Sequence, residues 1–302
     1  MKSAALPANA DLDPTASRRR ILSDFAELVK ARLTLLVLLT TAVGYYLASA
    51  HPINPLGLFH AVFGTALAAA GAAALNQWWE RRLDALMHRT MTRPIPAGRM
   101  PAREALILGC LLSLAGAIYL TITCNALSAA LATATILIYI FAYTPLKRVS
   151  TFNTLVGAIP GALPPMVGWA AASGRLDPGA WSLFAILFCW QLPHFFALAW
   201  MYREDYARAG FEMISKDDQS GARSASQSVL FCILLLFISG GPAFLKVVNY
   251  NYLTAELILN GVFIFAAMRF LRTQQQIDAR RLFLTSIIYL PLLLAALVFT
   301  KK

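Results

Sequence analysis

The stretch NQWWERRLDALMHRTMTRPIP, residues 76–96, decides how the chain is read. It closes one long apolar run and precedes another. Asn76, Glu80 and Asp84 recur at every fourth position. At about 100° per residue each step drifts by only about 40°, so the three oxygen-bearing side chains share one helical face. Arg89 and Arg93 repeat the spacing. Acceptors for a hard cation therefore stand beside donors for an anion, at the end of a membrane-length helix. A phosphate carrying magnesium needs both at once. The plain alternative is an interfacial helix end with solvated charges and snorkelling arginines.

The chain around this stretch is apolar. Of 302 residues, 58% are hydrophobic and 14% charged, against about 25% charged in a soluble protein. Nine runs are long enough to span: roughly 28–49, 56–80, 102–122, 126–145, 152–172, 180–202, 226–247, 253–271 and 281–300. A bilayer requires about 20 apolar residues, and continuous runs of that length are helices. The expected fold is an all-α polytopic membrane protein, nine transmembrane helices surrounding a central cavity. Residues 1–24 read as a disordered cytoplasmic tail, and 25–302 as one nine-helix domain. The basic run at 18–20 leads into a full span with no cleavage site close behind, so the tail is not a signal peptide. Cys110, Cys124, Cys189 and Cys232 lie in apolar runs without metal spacing and read as packing residues.

The net charge of +11 does not point to nucleic acid, because the basic residues lie between apolar runs. Alternate connections hold 22 Lys/Arg on one side and 4 on the other. By the positive-inside rule the N-terminus is cytoplasmic and the C-terminus lies outside. Three polar clusters then fall on the cytoplasmic side. The first is the opening stretch. The second is Tyr143 with Lys147 and Arg148. The third is Glu204 and Asp205, with Lys216 beyond. Acidic clusters after the second and sixth spans suggest two similar halves facing one cavity. Lys147 and Arg148 alone would read as topology anchors; with the other clusters they suit a metal-bridged diphosphate that leaves during reaction.

His194 lies within the sixth span, where an ionisable residue is a functional candidate by default. Asp205 follows about 16 Å further along, if the helix continues. A histidine bonded to a neighbouring helix is the competing reading. The fifth span carries Gly157, Pro160, Gly161, Pro164, Pro165 and Gly168, which predicts a bent helix beside a cavity and close contact at the glycines.

The pattern from Asn76, Glu80 and Asp84 through Met87, Arg89, Thr90, Arg93 and Pro94 resembles the haem-farnesylating branch of the UbiA-type intramembrane prenyltransferases. So do Tyr143-Thr144-x-Leu146-Lys147-Arg148 with Asn153, and Trp190-Gln191-x-Pro193-His194-Phe195 followed by Arg203-x-Asp205-Tyr206. The resemblance covers about residues 25–300. It departs from general members in having Asn76 and Glu80 at Asp positions, and no acidic partner four residues after Asp205.

The resemblance implies a reaction. Farnesyl diphosphate would bind through Mg2+ at Asn76, Glu80, Asp84 and Asp205, which are also the expected catalytic residues. Arg89, Arg93, Lys147, Arg148 and Lys216 would hold the diphosphate. A vinyl group of haem b, a substrate and not a prosthetic group, would take the farnesyl group, with water added. His194 is the residue offered to haem. The implied setting is the bacterial inner membrane, with membrane lipid, haem a synthase or oxidase assembly factors as partners. A related enzyme prenylating a quinone precursor is the near alternative. An anion transporter is the distant one, disfavoured because the charges sit at helix ends rather than midway.

Overall fold

The computed structural model describes residues 14–302. Among them nine helices are long and apolar enough to cross a membrane. A short helix, α1 (Pro14–Leu28), precedes the first span, α2 (Ala31–Ala48). There follow α3 (Pro55–Asp84), α4 (Ala102–Thr123), α5 (Ala126–Leu146), α6 (Asn153–Ser173) and α7 (Pro178–Met201). After the short α8 (Arg203–Arg208) come α9 (Ala222–Phe244), α10 (Tyr252–Thr273) and α11 (Gln276–Phe299). The chain is an integral membrane protein.

The expected tail is corrected in part. Residues 1–13 lie outside the described residues, but Pro14–Leu28 is helical. Two contacts order it. Arg99 binds Asp24 at 2.7 Å and Glu27 at 2.8 Å. Gln77 donates to the carbonyls of Glu27 and Leu28, the last groups of a helix, which have no partner within it. Ile21 and Leu22 remain exposed, as on a helix lying along a membrane surface.

Helix starts follow local chemistry. Asn54 caps α3, Asn125 caps α5 and Asp177 caps α7, each by accepting a backbone N–H; in α3 and α7 proline follows at the first turn, where its missing N–H costs nothing. The 30 residues of α3 extend about 45 Å at about 1.5 Å per residue. Hydrocarbon is about 30 Å thick, so the last turns, with Asn76, Glu80 and Asp84, reach its edge.

Two groups of helices share the bundle. α3 packs on α4 and α5, while α7, α9, α10 and α11 enclose the largest apolar core. The groups meet where α2 crosses α6. There a Cβ on Gly168 would stand 1.9 Å from the Thr41 carbonyl oxygen, and one on Gly44 2.0 Å from that of Pro165, so only glycine permits this approach. The expected bend in α6 is present: one helical segment ends at Ala162 and the next begins at Pro164.

Candidate active site

The basic end of the bundle gathers the first two sequence clusters into a ladder. Asn76, Glu80 and Asp84 are all buried and each meets a basic side chain. Lys30 Nζ donates to Asn76 Oδ1 at 2.7 Å. Lys147 Nζ lies 2.7 Å from Glu80 Oε1. Arg93 lies 2.7 Å from Asp84 Oδ2. The fourfold spacing thus becomes three parallel rungs from α3 to three different segments. Burial works against the charge of Lys147, but Glu80, Tyr143 and Tyr139 together outweigh it and hold the ammonium above the usual lysine range, so it is a fixed cation near neutrality.

Two residues of this ladder stand outside the sequence motifs. Lys30 links α1 to α2 with a left-handed backbone, φ 49°. Tyr139 donates to Asn76 Oδ1 at 3.2 Å. It belongs to a π-helical turn, Ile138–Tyr143, a form that recurs at functional sites. The wider turn stacks the Tyr139 and Tyr143 rings, centroids 5.6 Å apart, and Lys147 lies 4.4 Å over Tyr143. Thr144 accepts from Asn76 Nδ2 at 3.2 Å. A lysine opening an apolar run, and tyrosines four apart closing another, were the available signals; neither is specific without the fold.

Asp205, Arg148 and Lys216 depart from the expected convergence. Asp205 accepts from the backbone N–H groups of His88 and Arg89 at 3.4 and 3.2 Å and also pairs with Arg208. Its carboxylate fastens the loop after α3, because two backbone donors and a guanidinium engage its oxygens. The Arg89 side chain stands over the rings of Tyr202 and Tyr206 at 5.3 and 5.9 Å. Arg148 is exposed. Lys216 is exposed and pairs with Glu212 four residues before it, so a local partner takes its charge.

No group of three or more His, Cys, Asp or Glu side chains able to hold a metal occurs among the described residues. The mixed Asn76, Glu80 and Asp84 set nevertheless fits a hard cation. Asp84 Oδ1 is buried without a hydrogen-bond partner, and such an atom calls for a proton donor or a metal.

Below the ladder lies a cavity of about 310 Å³. Lys30, Tyr139 and Tyr143 stand at its polar part; Ala69, Ala72, Ala73 and Pro164 line its apolar part. The expected glycines border it at 157 and 161. A smaller void, sharing Ala69, Ala72 and Pro164, continues it towards Thr65 and Val167. Small side chains on α3 and the break in α6 make this space. An anion site above an apolar slot suits a lipid-like chain with a phosphorylated head.

His194 occupies a different face of α7. Its Nδ1 is 2.7 Å from Ser286 Oγ on α11, and its ring centroid is 4.6 Å from that of Phe283. The competing reading, a histidine bonded to a neighbouring helix, therefore holds as geometry.

Comparison with known proteins adds names to this arrangement. Residues 37–292 match the UbiA prenyltransferase family. The chain is 44% identical over 279 residues to the protoheme IX farnesyltransferase of Solibacter usitatus, covering 89% of this chain and 96% of that one. The protein of that name from Opitutus terrae is 42% identical, with 92% and 95% covered. Among solved structures, one described for digeranylgeranylglyceryl phosphate synthase aligns with a TM-score of 0.78 at 17% identity, covering 93% of this chain and 98% of that one. A UbiA homologue from Archaeoglobus fulgidus, bound to GPP and Mg2+, aligns at 0.62 with 13% identity and 91% and 99% covered. At these identities the structural likeness speaks for the fold.

Proposed function

The chain belongs to the UbiA prenyltransferase family, and from that premise we propose that it moves a farnesyl group from farnesyl diphosphate to a vinyl group of haem b. The products are haem o and diphosphate. One observation carries the reading: relatives named for this activity match almost the whole chain at above 40% identity. The paired ladder over an apolar cavity supports it.

The farnesyl chain occupies the cavity between α2, α3, α5, α6 and α7, with its first carbon near Tyr139 and Tyr143. The diphosphate lies among Lys30, Arg93, Lys147 and Arg89. Asn76, Glu80 and Asp84 would hold a divalent cation, Mg2+ by the chemistry of their oxygens, which supplies charge to stabilise the leaving group. Asp205 contributes by fixing the loop that presents Arg89.

The bond between the first farnesyl carbon and the diphosphate oxygen breaks, and its electron pair leaves with diphosphate. The surrounding cations stabilise that charge as it forms. The allylic cation left behind faces the electron-rich tyrosine rings, which attract positive charge. The terminal vinyl carbon of haem b attacks it and a carbon–carbon bond forms. Positive charge moves to the carbon beside the porphyrin. Water adds there and loses a proton, giving the hydroxyl of the product. His194 serves the haem side of this reaction. In the cell the site faces the cytoplasm, in the bacterial inner membrane.

The test supplies purified protein with farnesyl diphosphate, haem b and Mg2+, then follows diphosphate release and the mass of the haem product. Haem o should form. Excess chelator, or Asp84→Ala, should stop both signals. Prenylation of 4-hydroxybenzoate with haem b left unchanged would turn the reading towards a quinone precursor.

A further inference from the structure

A second groove, distinct from the prenyl cavity, opens between the C-terminal turn of α7 and the first turns of α11. It encloses about 560 Å³ and is walled by Met201, Tyr202, Ile277, Phe283 and Leu284, with Arg280 on its lining. This volume falls within the range of about 300–1,000 Å³ usual for small-molecule sites. Gln276 donates to the Met201 carbonyl at 3.3 Å and ties the two helices together at the rim. Ile277 and Leu284 are about half exposed, at 48% and 47%, so the groove can be reached from lipid.

Charge and position together single out Arg280. Four arginines flank the turn between α10 and α11, and Asp278 takes two of them: Arg269 at 2.8 Å and Arg281 at 2.7 Å; of the other two, Arg272 and Arg280, only Arg280 lines the groove. Arg280 is exposed and has no acidic partner among the described residues. A groove of mixed lining therefore carries an exposed guanidinium free to pair with an incoming anion, and a carboxylate matches that fork.

The groove also abuts both parts of the prenyl site. Phe283 in its wall packs on His194, and the His194 ring lies 5.6 Å from that of Phe195, which lines the prenyl cavity. One layer of aromatic rings separates the two spaces. At the other side, the Tyr202 ring that walls the groove carries the Arg89 guanidinium 5.3 Å from its centroid.

We propose that this groove docks haem b, with the macrocycle against Phe283, Tyr202 and Leu284 and one propionate on Arg280. The proposal rests on haem b being the acceptor. A flat apolar ring with two carboxylates enters from lipid and keeps its charged edge at the surface, as the groove requires. Bound so, its vinyl edge points towards the His194 layer, and the Phe195 and Phe283 rings must turn aside for a vinyl carbon to meet the farnesyl cation. Arg280 is a positioning residue: it sets where the ring lies and takes no part in bond making.

The experiment uses the full chain in detergent with farnesyl diphosphate and either haem b or haem b dimethyl ester. Wild type should prefer the free acid. Arg280→Gln should raise KM for haem b about ten-fold, the worth of one charge-assisted contact, with KM for farnesyl diphosphate unchanged. It should also erase the preference over the ester, and Arg280→Lys should restore part of it. A Soret titration without farnesyl diphosphate should show the same loss of haem affinity. Unchanged haem affinity in Arg280→Gln overturns the proposal. So does an equal loss for acid and ester that appears only with phosphatidylglycerol present, which would make Arg280 a lipid headgroup contact. If wild type forms no haem o and binds no haem, the function reading falls too; haem o formation without any Arg280 effect removes the groove alone.

Discussion

Lys147 and Glu80 show how much of the site depends on single residues. Both are largely buried and stand 2.7 Å apart. Removing one partner of such a pair leaves a bare charge and costs about 3–5 kcal/mol, whereas removing both can be nearly neutral. Lys147→Met should therefore lower stability by that order, and adding Glu80→Gln should recover most of it. Thermal unfolding in detergent checks this. Turnover should be lost in both variants, since neither restores the cation. The Asn76, Glu80 and Asp84 face was legible because helix periodicity alone aligns it. The three partners were not equally so. Arg93 sits in the same motif, and Lys147 in another, but Lys30 is joined only by tertiary packing. Asp205 stood out through its acidic cluster and the family resemblance, yet its carboxylate binds backbone N–H groups, which no side-chain pattern reveals.

At the scale of elements, hydropathy carried most of the reading. Every expected span is present within a few residues, because the bilayer sets helix length more strictly than any soluble core does. Helix α1 escaped, being short and polar on average and held by contacts from α3 and the loop after it. The bend in α6 was legible from its prolines; the cavity's depth was not, because it depends on which face of α3 turns inward. That face is built of alanines, and Ala72 borders both the main cavity and its extension. Ala72→Phe should fill the junction. KM for farnesyl diphosphate should rise about ten-fold or more, on the order of 1–3 kcal/mol of overpacking. Geranyl diphosphate, one isoprene unit shorter, should be less affected. Competition between the two diphosphates on the variant measures the change.

Nine spans among the described residues would place the two ends of the chain on opposite faces of the membrane. With the positive-inside bias, a reporter after Lys302 should lie outside the cytoplasm, and one inserted beside exposed Lys216 inside it. Both on one side would mean that a helix does not cross. The membrane's inner edge is also crowded with simple phosphates, and the rungs of α3 bear on how the protein meets them. Of the three basic groups there, Lys147 and Arg93 already hold carboxylates and only Lys30 holds a neutral amide. Such a set of pairs is an ion exchanger loaded with its own counter-ions. A lone phosphate would have to strip cations from buried acids and leave those acids bare. A ligand arriving with a divalent ion trades like for like: its phosphates take the cations, and its metal takes the oxygens. Selection among soluble anions then requires neither a gate nor a close-fitting wall, because only a paired guest can complete the exchange.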